Sequence, residues 1–96
     1  MAERIGTAIE GSGAAAATST SSVVAVANGS RRELGIVNES DGEVWLALGE
    51  TAVAHQGVYL RPYGGTFWTG GDAIFTGAVN CIQEGGGSLV LSYYEY

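Results

Sequence analysis

From Ser22 onward the sequence is punctuated by glycine, asparagine and aspartate at short intervals, and this spacing restricts the chain to short elements. The runs between these breakers are rich in valine, isoleucine, leucine and aromatic residues, the side chains that fit a pleated, half-buried surface. Val23–Val26 leads into Asn28-Gly29-Ser30, and Leu34–Val37 leads into the acidic turn Asn38–Gly42. Further runs occupy Val44–Leu48, Gly57–Leu60, Thr66–Thr69, Ile74–Gln83 and Ser88–Tyr96, separated by Pro62–Gly65, Gly70-Gly71-Asp72 and Gly85-Gly86-Gly87. No run shows the 3.6-residue period of a helix. The spacing predicts an all-β domain, a β-sandwich or jelly-roll-like barrel of about seven to eight short antiparallel strands. Pro62, the only proline, falls at a turn, where its missing N–H costs no sheet hydrogen bond.

Residues 1–21 differ in kind. They carry Gly11, Gly13, an Ala14–Ala17 run and a Thr18–Ser22 tract, with few large apolar groups. Such a stretch offers little surface to offset its ordering entropy. The sequence thus divides into a flexible N-terminal arm over 1–21 and a β-sandwich domain over 22–96. Deletion of residues 1–20 is expected to leave the fold unchanged and to weaken attachment to a partner.

Charge narrows the function classes. The formal net charge is −6, and all four basic residues are arginines. Affinity for nucleic acid rests on neutralising phosphates, so a nucleic-acid role is not expected. Attraction to an anionic membrane surface is disfavoured on the same ground. Glu3 and Glu10 interrupt the place where the apolar core of a signal peptide would lie, and no apolar run reaches the roughly 20 residues of a membrane span. The expectation is synthesis and folding in a cytoplasm. The charged fraction, 15%, is low against about 25% for an average domain, and a surface poor in charge is easily buried against another protein.

Alternation along the strands points the same way. Val44, Leu46 and Leu48 share one face of their run while Trp45 and Ala47 share the other. Leu89, Leu91 and Tyr93 oppose Val90, Tyr94 and Tyr96. A sandwich strand presents only one face to the core, so the second apolar face must lie under a loop, under the arm, or against another chain. Aromatic residues are enriched at the cores of protein interfaces. Trp45, Trp68, Tyr93, Tyr94 and Tyr96 are the candidate interface residues.

Catalytic and metal chemistry find few parts. His55 and Cys81, with Asp72, supply the residue types of a thiol dyad, but Cys81 lies mid-run among apolar neighbours, where cysteine serves as a small hydrophobe. One histidine and one cysteine cannot furnish a usual zinc set. Asn38, Glu39, Asp41 and Glu43 lack the ligand spacing of a calcium loop. The glycine clusters have no lysine and no following helix to hold a phosphate. No cofactor, metal or catalytic residue is expected. The aromatic residues could alternatively stack on sugars, as in lectin-like jelly rolls.

The order of these features has a likeness. Ser21–Val24 precedes Asn28 and Arg31-Arg32; then follow Ile36-Val37-Asn38 with Asp41, Val44–Gly49, Gly57, Leu60, Gly64-Gly65 and Phe75–Val79. This pattern, over about residues 21–92, resembles a diffuse group of short tailed-bacteriophage virion proteins: β-sandwich head-decoration, head-fibre or neck-associated proteins. The resemblance carries over Arg32, Asn38, Gly49, Gly77 and Ala78 as structural positions. It implies a capsid decoration (cement) protein on the virion surface, a homotrimer that binds the major capsid protein or other virion proteins, with carbohydrate-binding and neck or tail roles as alternatives.

Overall fold

A computed structural model of the chain describes residues 11–96. Eight strands follow one another: β1 (Gly11–Ala17), β2 (Ser22–Ala25), β3 (Glu33–Asn38), β4 (Val44–Leu48), β5 (Val58–Leu60), β6 (Gly65–Gly70), β7 (Val79–Gln83) and β8 (Leu89–Glu95), with one 3₁₀ turn at Gly71–Ala73. They form two antiparallel four-stranded sheets. Sheet A has the order β1-β8-β3-β6 and sheet B the order β2-β7-β4-β5. The all-β sandwich expected from the spacing of the breakers is the fold.

The core lies between the sheets. Leu34 and Ile36 of β3 and Leu91 of β8 meet Val44 and Leu46 of β4 and Val79 and Cys81 of β7, all without solvent exposure. Each fully buried aliphatic side chain of this kind contributes about 1.5–3 kcal/mol. Inward residues fall at every second position of their strands, so a one-residue slip of register would turn the set to solvent.

Both ends of the sandwich are closed by a buried polar side chain that makes several hydrogen bonds. At one end Arg31 donates through Nε to Glu95 (2.5 Å), through Nη1 to the carbonyls of Phe75 (2.8 Å) and Gly77 (3.0 Å), and through Nη2 to that of Val26 (2.8 Å). At the other, Asn38 Nδ2 donates to the carbonyls of Gly42, Leu60 and Arg61, and its Oδ1 accepts from Ser40 N and Oγ. A buried guanidinium is tolerated only when paired and bonded in this way. Arg31 is buried, whereas Arg32, the one carried over by the resemblance, is exposed.

Two expectations are corrected. Gly11–Ala17, assigned to the flexible arm over 1–21, is an edge strand of sheet A, paired with β8 from Gly11↔Glu95 to Ala17↔Leu89. Backbone pairing needs no large side chain, and Tyr93 supplies the volume that Gly13 lacks: a Cβ there would lie 3.0 Å from the Tyr93 hydroxyl. Ala17 is fully buried, so deletion through residue 20 removes a strand and part of the core. Residues 1–10 of that expected arm lie outside the described residues. The run Ile74–Gln83 is a strand only from Val79, because the carbonyls before it are engaged elsewhere. Arg31 takes those of Phe75 and Gly77, Asn28 N that of Thr76 and Gly49 N that of Ala78.

Candidate functional site

The aromatic residues singled out by sequence separate into three environments. Trp68, Tyr94 and Tyr96 share the outer face of sheet A. Tyr93, one residue from Tyr94, points inward and packs on the core, so it is not a surface contact. Trp45 faces outward from sheet B but is covered by its own chain, with the His55 ring at 4.4 Å and the Tyr59 ring at 5.8 Å between centroids. It is 5% exposed, against 55% for Trp68 and 52% for Tyr96.

Strand register builds the sheet A cluster. Gly35 pairs with Tyr94 on one side and with Trp68 on the other, so both aromatics flank a residue without a side chain. Tyr94 lies over Gly35, where a Cβ would overlap its ring, and Trp68 lies over Gly70, where a Cβ would come within 2.5 Å of Cζ2. Glycine inside a strand marks such close approach. The rings are therefore laid down along the sheet.

Glu33 ties them together. Its Oε2 accepts from Trp68 Nε1 (2.7 Å) and from the Tyr94 hydroxyl (2.9 Å). The bond from Trp68, then that from Tyr94, holds the Glu33 carboxyl below its ordinary pKa, because both favour the ionised form. The same carboxylate raises the pKa of the Tyr94 hydroxyl. Tyr96 meets Tyr94 edge-on, at 5.8 Å and 62°. Val90, 54% exposed, lies on the same outer face at the other end of β8, separated from Tyr94 by Ser92, whose hydroxyl donates to Glu39. Glu33 and Gly35 were not among the residues expected from sequence. The glycine inside the β-prone run Leu34–Val37 is the one signal that could have marked the close approach.

Other groupings do not assemble. Cys81 faces the core, bonded weakly to Ser22 Oγ (3.6 Å), and burial raises its thiol pKa, opposite to what a nucleophile needs. His55 lies on the outer side of sheet B, paired with Glu84 at 2.9 Å. The two are on opposite faces of one sheet. The acidic turn spends its groups separately: Asn38 inside, Glu43 on the Tyr59 hydroxyl (2.8 Å) and Glu39 on Ser92. Among the described residues no three or more His, Cys, Asp or Glu side chains come together to hold a metal ion. A surface depression of about 220 Å³ beside Trp45 and Gln83 falls below the roughly 300–1,000 Å³ of drug-sized ligand pockets.

Comparison with protein-family models, with curated proteins and with solved structures finds no match to this chain.

Proposed function

We propose that this chain is a non-enzymatic assembly module that docks on a protein partner through the outer face of sheet A. The observation that carries the reading is the exposure of Trp68 and Tyr96 beside Tyr94, on a sandwich whose other tryptophan is covered by its own chain. Aromatic side chains held in fixed positions lose little entropy on docking and dominate interface energetics. The likeness to phage structural proteins gives the biological form of the proposal: a virion protein that decorates the capsid surface, binds the major capsid protein and acts as a homotrimer.

The decisive experiment is mass by light scattering of the purified protein, alone and after mixing with empty capsids of the virus that encodes it. The expected result is a trimer, or a protein that saturates the shells at fixed stoichiometry, with Trp68→Ala weakening attachment and leaving the fold intact. A stable monomer that ignores capsids overturns decoration and favours a neck or tail role. The arrangement of Trp68 and Tyr94 about a carboxylate acceptor also suits a sugar ring, whose apolar face stacks while its hydroxyls donate. A glycan array showing sharp binding lost in Trp68→Ala would establish that reading instead.

A further inference from the structure

The centre of the sheet A face is a charge, and it indicates what kind of group the face accepts. Trp68 and Tyr94 both donate to Oε2 of Glu33, and Oε1 accepts no side-chain hydrogen bond among the described residues. Neither ion pair among those residues includes Glu33, so its neighbour Arg32 does not neutralise it. Ring faces carry the negative side of the aromatic quadrupole. Glu33 therefore stands as an anion held by the donor edges of two rings, whose electron-rich faces are left for another group. The Tyr94 and Tyr96 rings meet at 62°, so they present their faces in two directions and not as one flat floor.

Such a cluster attracts a cation and disfavours an anion. A guanidinium fits it best, because it stacks on aromatic faces and directs paired N–H groups at a carboxylate. The chain itself has net charge −6 and no lysine. Two copies meeting face to face would set Glu33 against Glu33, which argues against self-pairing through this face.

We propose that Glu33, Trp68, Tyr94 and Tyr96 form a receptor for an arginine side chain projecting from a protein partner. The proposal rests on the docking reading above and gives that partner its chemistry. Arginine enters as the central anchor, its plane against Trp68 or Tyr94 and its N–H groups on Glu33 Oε1, while Tyr96, paired with Glu33 through the backbone, covers one side of the site.

The test titrates the intact protein with the capped tripeptide Gly-Arg-Gly and with its citrulline counterpart, which has nearly the same shape and no charge. The readout is the indole N–H resonances of the two tryptophans. The arginine peptide should shift the Trp68 signal to saturation and leave that of Trp45 in place. Citrulline, or Glu33→Gln, should weaken binding about tenfold. Equal binding of the citrulline peptide, no saturable shift, or a shift produced only by a neutral oligosaccharide overturns the arginine receptor. Co-sedimentation with empty capsids separates this failure from that of the docking reading. Attachment lost in Trp68→Ala but kept in Glu33→Gln sinks the receptor alone. Attachment kept in both variants sinks the docking face as well, and loss in both supports the two together.

Discussion

The two tryptophans occupy comparable stations, each facing outward from a middle or edge strand of its sheet, and the chain treats them oppositely. Trp45 is roofed by His55 and Tyr59, which belong to the β4–β5 connection and to β5. Trp68 is bonded to Glu33 and left more than half exposed. The roof has a cost: His55 takes a left-handed backbone conformation, φ 68°, worth roughly 1–2 kcal/mol of strain for a residue with a Cβ. Stacking on Trp45 and the bond to Glu84 offset it. A sandwich strand with two apolar faces can thus close its second face from within, as β4 does, or leave it open, as β6 does.

The sharpest way to break the comparison is to remove each ring. Trp45→Ala should lower unfolding free energy by about 3 kcal/mol in urea titration, the cost of vacating a packed aromatic site. Trp68→Ala should stay within about 0.5 kcal/mol, as for most surface changes. Equal losses would erase the distinction between a covered and an open face.

A second pair concerns glycines, with smaller effects. Gly57, φ 87°, lies under the roofed side, and a Cβ there would overlap the Leu46 carbonyl oxygen. Gly57→Ala should cost about 2 kcal/mol, since neither backbone can give way. Gly35→Ala meets only the outer end of the Tyr94 ring, which can swing outward. Its expected cost is about 1 kcal/mol, with Tyr94 freed from Glu33 and attachment to a partner impaired. Thermal melts of the two variants, with the stability order reversed, would contradict this account.

The smallest effects are electrostatic. Glu33 has a lowered folded-state pKa, so its contribution to stability is present above its unfolded value and is lost as pH falls through the folded one. Glu33→Gln should flatten the acid limb of the stability curve slightly. Tyr59 and Tyr94 have raised pKa values, each chiefly through the carboxylate it donates to, Glu43 and Glu33 respectively. Their contributions are complete below the unfolded tyrosine pKa and fade as pH rises through the folded one. In ultraviolet titration Glu33→Gln should move Tyr94 ionisation to lower pH and leave Tyr59 in place; movement of Tyr59 would mean that the two faces are coupled.

The strands legible in the sequence were those that fill a β-prone run: β2, β3, β4, β5, β6 and β8 lie within a residue or so of such runs. β1 was not legible, because Gly-Ser-Gly-Ala has no pattern of its own and its place depends on Tyr93 and on β8. The loss of the strand at 74–78 follows from distant partners, the Arg31 side chain and the Asn28 and Gly49 N–H groups, which no local window contains. Alternation correctly set Tyr94 and Tyr96 opposite Tyr93. What it could not supply was the register that sets Gly35 between Tyr94 and Trp68 and brings Glu33 to both rings. Trp45 needed more still, since its cover comes from a loop.

The position of β8 in sheet A has a consequence for how the molecule is made. Every strand of sheet B precedes residue 84, whereas β1 and β3 are joined only through β8, the last strand in chain order. During synthesis sheet B can pair first, while β1 waits for a partner from the far end of the described chain. The same strand carries Leu91 into the core and Tyr94 onto the outer face. The aromatic cluster therefore comes into being in the step that completes the core, and any partner that reads Trp68 and Tyr94 together reads a finished molecule.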